Sequence, residues 1–286
     1  MTSTLPDWCI KPATETSGWA RVLADSLNPW GTRITSLEVL MWREMLAEFN
    51  THRVFGRNSA SSRAIPVQTM LRRVLDDPFI PRRIPINQPG MSATEYIEQG
   101  QLGWDEAVAI WLAARDNAVD SVRRLLELKV HKQLANRLLE PFMRHTVVVT
   151  ATEWTNFFEL RISEFAQPEI CDVAIAMKEA MDASTPVQLE SGDWHLPFIG
   201  EGDEELSPGE KIQASTARAA ATSYNRHTDK DFAKERLRFA GLKTNRHMSP
   251  FEHPAEAVDS RDMFFDHLRG FRSARWFVDR GRELPA

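Results

Sequence analysis

Apolar residues recur along much of this chain at the spacing of a helical face. Trp104, Val108, Trp111, Arg115, Ala118, Val122 and Leu125 follow a period near 3.6, which predicts a long amphipathic or mostly buried helix. Ile170, Val173, Ala174, Met177 and Met181 line one face of a helix expected over Gln167–Met181, and core packing is sufficient reason for that stripe. Shorter helices are expected at Arg43–Asn50, at Val67–Leu75 with Asp76-Asp77-Pro78 as its stop, and at His131–Leu139 and Asn156–Arg161. Pro208–Thr222, Asp231–Gly241 and a segment near Phe264–Phe277 complete the helical pattern. Ile34–Trp42 reads as a strand, and the β-branched run His145–Thr150 suits the centre of a sheet.

The remaining segments lack periodicity. Residues 1–32, rich in Pro, Thr, Ser and Trp, read as an extended arm or surface covering. Pro78–Pro89 is proline-rich and irregular, with one extended stretch around Arg83–Ile86. Glu190–Pro208, acidic and rich in Gly and Pro, reads as a connection. No repeat or low-complexity tract occurs.

Composition narrows the class. A chain of 286 residues with 42% hydrophobic content can bury a substantial core. The formal charge of −5 argues against a general nucleic-acid or membrane-surface binder, so any phosphate site must be local. The two cysteines, Cys9 and Cys171, have no metal-type spacing; they fit a reducing cytoplasm, with Cys171 packed on a helix face. No export signal or membrane-spanning run is legible.

Against that acidic background, Thr51–Arg63 concentrates three arginines, a histidine and four hydroxyl side chains around one glycine. Guanidinium forks and hydroxyls match the acceptors of a phosphate, so the segment reads as an anion-binding loop. Three further segments carry polar residues that packing does not require: Asn136–Pro141, Asn156–Arg161 with Gln167–Glu169, and Ser249–His253. No Gly-x-Gly-x-x-Gly follows a strand, no Gly-x-x-x-x-Gly-Lys-Ser/Thr is present, and His-x-Glu or Cys-x-x-Cys pairs are absent, which leaves dinucleotide-fold, P-loop and zinc chemistry without support.

These segments resemble the flavin-dependent thymidylate synthases. Their signature is Arg-His-Arg, seven residues, Ser, and Arg two positions later; Thr51-His52-Arg53 with Ser61 and Arg63 reproduces it, Thr replacing the first Arg. Pro250-Phe251-Glu252-His253 is the family's Pro-Phe-Glu-His motif, and Ser215–Tyr224 is similar to its Arg-Ala-Ala-Arg-Val-Ser-Phe segment. Leu160-Arg161, a short gap and Ala166-Gln167-Pro168-Glu169-Ile170 match the end of the usual domain, and Asn136–Pro141 belongs to the likeness. The order is inverted: Pro-Phe-Glu-His usually comes first, whereas Glu252 here follows His52 by 200 positions. The chain resembles a circular permutation, with Glu190–Pro208 joining the old termini.

The resemblance implies a single α/β (α+β) domain over 1–286, helices packed around a mixed central sheet, in a cytoplasmic homotetramer with interfacial active sites. It implies FAD as cofactor, NADPH and methylenetetrahydrofolate as co-substrates, and dUMP as the nucleotide methylated. His52, Arg53, Asn58, Asn156, Ser223, Ser249 and Glu252 are then expected to hold FAD, with Arg57 standing in for the charge lost at Thr51. Ser61, Arg63 and Arg137 are expected on the dUMP phosphate, Arg161 on the pyrimidine and Glu48 near it. Arg161 and Ser61 form the expected catalytic set, with no cysteine nucleophile and no metal. Ser59 stands where the family has Glu, Glu48 where it has Gln, and Phe165 where a His touches the flavin. Those departures leave two alternatives: a related methylase or hydroxymethylase acting on dCMP or dUMP, with Glu48 as the acid facing a cytosine amino group, and a non-catalytic nucleotide-binding relative.

Overall fold

In the computed structural model, which describes residues 18–90, 93–224 and 230–285 and the side chains of all of these but 223–224, the chain builds its interior on the β-branched run at its middle. Along the chain, β1 (Trp19–Leu27), β2 (Arg33–Trp42) and β3 (Gly56–Ser59) precede a small hairpin of β4 (Ile84–Pro85) and β5 (Tyr96–Ile97). Then come β6 (Arg144–Ala151), β7 (Val187–Gln188), β8 (Trp194–His195), β9 (Ala255–Ala257), β10 (Phe264–Phe265), β11 (Leu268–Arg269) and β12 (Phe271–Ser273). The main sheet runs β3-β6-β2-β1-β7. Its pairs are antiparallel except for the parallel β1–β7 edge, so the sheet is mixed.

The strand period of two sorts its side chains. Leu37, Val39 and Met41 of β2 join Val147, Val149 and Ala151 of β6 in one core. The helices are α1 (Leu46–Phe49), α2 (Val67–Asp76), α3 (Trp104–Glu127), α4 (Lys132–Ala135), α5 (Thr155–Arg161), α6 (Pro168–Asp182), α7 (Pro208–Ala220), α8 (Phe232–Thr244) and α9 (Ala274–Asp279). The stripe Ile170, Val173, Ala174, Met177 and Met181 of α6 is buried in that same core. Ile34 of β2 packs instead with Ala255, Ala257, Leu268 and Phe271 in a separate core, beside the small sheet β12-β9-β8. The fold is thus the expected mixed α/β one, helices around a mixed sheet. In α3 the predicted face packs, but Ile110 is 65% exposed, so the helix is amphipathic rather than mostly buried. Among the described residues, no helix is long and apolar enough to cross a membrane.

Three expectations need correction. The supposed arm over residues 1–32 contains β1, whose polar residues are paired: Asp25 accepts from Arg33 at 2.8 Å and Glu38 from Arg21 at 2.6 Å. These ion pairs break the apolar alternation that announces a strand, and Cys9 lies outside the described residues. The region near Phe264–Phe277 is strand until Ser273, because Asp266 (φ 60°) and Gly270 (φ 69°) take left-handed turns that a helix cannot contain. The connection Glu190–Pro208 is not loop throughout, because it includes β8, which pairs with β9.

Arg218 anchors that connection. It is buried and donates to both carboxylate oxygens of Asp203 at 2.7 Å, to Glu235 at 2.7 and 3.1 Å, and to the Phe198 carbonyl at 2.8 Å. One guanidinium therefore holds the connection against α7 and α8. Helix α7 itself starts on a capping box of Ser207 and Glu210 with Pro208 at its first position. Replacing Arg218 with Met strands the buried Glu235 carboxylate and leaves Asp203 to Lys230 and the Gly200 N–H; we expect a loss of about 3–5 kcal/mol, measured by urea unfolding.

Candidate active site

The expected anion loop is not a loop throughout. Gly56–Ser59 pairs with Val147–Thr150 as the edge strand β3, which leaves two ends of the segment emerging in different places. At the first end, α1 runs into Thr51 and His52, and His52 is buried in an aromatic nest. Its ring stacks on Phe55 at 5.7 Å and meets Phe157 edge-on at 4.9 Å. Phe157 and Arg161 lie four residues apart on α5, hence on one face, and that spacing brings the guanidinium onto His52.

Arg161 is the hub of this end. Its Nε donates to His52 Nε2 at 3.1 Å, its Nη1 to Glu48 Oε2 at 2.9 Å, and its Nη2 to the Thr51 hydroxyl at 3.2 Å. Because His52 Nε2 accepts, the imidazole is neutral, and its proton sits on Nδ1. Burial pushes the His52 pKa down to about 4, reinforced by the nearby charges of Arg161 and Arg57. Thr51, in place of the family's first Arg, donates its own hydroxyl to the Glu48 carbonyl at 2.7 Å. Arg57 turns inward, donating to the carbonyls of Phe49 at 3.3 Å and His52 at 3.2 Å; burial lowers its pKa.

The strand carries the site on to the late motifs. The Arg57 backbone N–H donates to Glu252 Oε2 at 3.2 Å. Asn58 donates to the Ala219 carbonyl at 2.7 Å and accepts from the Ser249 hydroxyl at 3.0 Å. Gly56 permits this approach: a Cβ there would stand 2.7 Å from His267 Nε2 and 3.1 Å from Glu252 Cβ. Glu252 is also held by Arg275 at 2.5 Å, at the edge of a cavity of about 510 Å³ shared with His267, Ser273 and Arg280. His267 and Arg275 lie in no motif, and no sequence signal singled them out.

At the far end of β3, Ser61 is half-buried and Arg63 exposed. Glu140, which sequence reasoning passed over, gathers the Ser62 hydroxyl at 2.5 Å, Arg137 at 3.0 Å and Arg43 at 3.4 Å. Asn136 donates to the carbonyls of Ser62 at 2.7 Å and Ile65 at 3.0 Å, fixing the loop's backbone. The Asn-Arg-Leu-Leu-Glu spacing of 136–140 was the available signal for this group.

The nominated residues therefore divide. Glu48, His52, Arg57 and Arg161 form one connected group, joined through β3 to Asn58, Ser249 and Glu252. Ser61, Arg63 and Arg137 stand at the other end of the strand. Arg53 and Asn156 are exposed, outside both sets of contacts. Ser223 lies in a 3-10 turn, Ala221–Tyr224, and its side chain falls outside the described residues. Phe165 is 69% exposed on the rim of a cavity of about 280 Å³ lined also by Arg82, Arg83, Tyr96 and Ser163.

A family model described as thymidylate synthase complementing protein matches residues 34–187. No curated protein sequence gives a match. Among solved structures, the chain is similar to Thymidylate Synthase X from Helicobacter pylori with FAD and dUMP, at 18% identity over 52% of this chain and 67% of that one, with a TM-score of 0.35. It is also similar to the UMP/dUMP methylase PolB from Streptomyces cacaoi bound with 5-Br UMP, at 16% identity over 58% of this chain and 89% of that one, with a TM-score of 0.45.

Replacing Arg161 with Met removes one of the charges that disfavour protonation of His52 while keeping its bulk. The His52 pKa should rise from about 4 toward, but not reach, its ordinary 6.5, because burial persists. Titration of the ring Cε1–H by NMR measures this.

Proposed function

Because the chain belongs to the thymidylate synthase complementing protein family, we propose that it is a flavin-dependent thymidylate synthase, transferring a one-carbon unit from methylenetetrahydrofolate to C5 of dUMP with reduction by NADPH through FAD. The observation that carries this reading is the contact between Arg161 and His52, 109 positions apart, just ahead of the strand β3, whose Arg57 N–H donates to Glu252. Motif residues from three distant segments meet there.

The donor set fits a flavin nucleotide. The buried His267 Nε2, which stands against Gly56 and beside Glu252, has no partner among the described residues. His52, Arg53, Arg57, Asn58, Asn156, Ser223, Ser249 and Glu252 would hold FAD, which when bound supplies hydride transfer. For the nucleotide, Ser61, Arg63 and Arg137 would hold the phosphate. Arg137 would exchange Glu140 for that phosphate, while Arg43 and Ser62 stay on Glu140 and keep its charge paired. Arg161, fixed by Glu48 and the neutral His52, would present its cation to a pyrimidine carbonyl as negative charge develops there.

Exposure of Arg53, Asn156, Arg63 and Arg137 supports sites completed by neighbouring copies, as in a cytoplasmic homotetramer. The order of segments supports a circular permutation: the family match stops at residue 187, yet Ala219, Ser249 and Glu252 reach the same strand.

One observation favours a second reading. The Glu48 carboxylate lies 2.9 Å from Arg161 Nη1, where an acid would accept from a cytosine amino group, so a dCMP methylase or hydroxymethylase is the competing assignment.

The purified protein should be yellow or become so with FAD, and NADPH should bleach it anaerobically; a chain that takes up no flavin would overturn the proposal. Rescue of a thymidine-requiring strain distinguishes dUMP from dCMP chemistry. Arg161→Ala should weaken dUMP binding by about 30-fold or more while flavin stays bound, measured by calorimetric titration.

A further inference from the structure

A continuous line of buried polar side chains crosses the second face of the sheet. Ser26 Oγ of β1 lies 3.0 Å from His195 Nδ1, His195 Nε2 lies 2.8 Å from Ser36 Oγ of β2, and Ser36 Oγ lies 2.5 Å from Thr150 Oγ1 of β6. Thr150 Oγ1 in turn lies 2.9 Å from Nδ1 of His253, the residue after Glu252. All five side chains are buried. His253 Nε2 has no partner among the described residues.

Each hydroxyl has one proton to give and each neutral imidazole one, so the line has two self-consistent directions. Running from Ser26 toward His253, every proton along it finds an acceptor, and His253 is left with its proton on Nε2. Running the other way, the Ser26 hydroxyl proton has no acceptor among the described residues, and His253 Nε2 becomes an unmet acceptor as well. The first direction leaves one buried polar group unmet and the second leaves two, a difference that matters where water is excluded. Burial keeps both imidazoles neutral, lowering the pKa of each to about 3, so the line carries direction rather than charge.

We propose that Ser26, His195, Ser36 and Thr150 act as a positioning relay that holds His253 in its Nε2–H form and thereby fixes the turn presenting Glu252 to the site. The consequence is that the Glu190–Pro208 connection contributes to the site from across the sheet through His195. The relay itself depends only on the side-chain contacts above, and its effect on ligand rests on the flavin reading.

The test uses the full chain with isotope-labelled histidine and solid-state NMR of the imidazole nitrogens, His253 being assigned from the spectrum of His253→Gln. The unaltered protein should show His253 as Nε2–H. Ser26→Ala, remote from His253, removes the donor that favours one direction and leaves the two with equal numbers of unmet groups, so a second His253 tautomer should appear at about a third to a half of the population. A His253 found as Nδ1–H in the unaltered chain, or a single tautomer retained in Ser26→Ala, would overturn the relay; Ser36→Ala, which leaves Thr150 able to donate to His253, should keep the Nε2–H form, and a second tautomer there would overturn the count of unmet groups on which the relay rests. In Ser26→Ala the Kd for FAD should rise about threefold or more; an unchanged Kd beside a changed tautomer would overturn the link to Glu252. Failure of the unaltered chain to bind FAD would instead overturn the flavin reading, with the relay still decided by the tautomer.

Discussion

The pairing of Gly56–Ser59 with Val147–Thr150 is the interaction on which the site depends. An edge strand of four residues spans roughly 13 Å at 3.3 Å per residue, and its backbone donors and acceptors on one side are spent on β6. The segment is therefore held straight, and its two ends cannot fold back on a single ligand. His52 is delivered to one end and Ser61 to the other, each backed by a different element: α5 through Phe157 and Arg161, and the 3-10 segment Asn136–Phe142 through Asn136. The compact cradle that the sequence suggested is thereby converted into a rail between two clusters of polar side chains.

Charge is arranged along this rail with compensation already in place. Arg161 sits between an acid and a neutral imidazole, so its orientation is set by hydrogen bonds before any ligand arrives. Glu140 occupies the corresponding place at the other end, and its several cationic and hydroxyl partners allow one to leave without isolating the acid. Preorganised donors of this kind lose little freedom on binding, which is where an exposed arginine would lose most.

The C-terminal part of the chain reaches the same strand by a different route. The connection after β7 is tied down by Arg218 and by His195, both buried, so the segments carrying Ala219, Ser249 and Glu252 approach β3 along a fixed path. Gly56 completes that approach by having no Cβ where His267 and Glu252 come close.

Elements with a strong period were legible from residues alone: the α6 stripe, the packing face of α3, and the β2 and β6 runs, because repeated burial of one face leaves repeated apolar positions. The identities of His52, Arg161 and Glu252 were legible through their motifs. What stayed hidden were elements whose polar residues are satisfied by distant partners, such as Asp25 and Arg21 in β1, and turns set by left-handed residues such as Asp266. His267 and Arg275 were hidden for the related reason that Gly56 and Glu252, which they meet, lie far away in sequence. The sequence by itself determined which side chains were available, their chemistry and their local periodicity, since those depend on neighbours a few positions away. Only the tertiary structure decided that Thr51–Arg63 holds a strand, Gly56–Ser59, that separates its two ends, because pairing with β6 is a contact that no local spacing encodes.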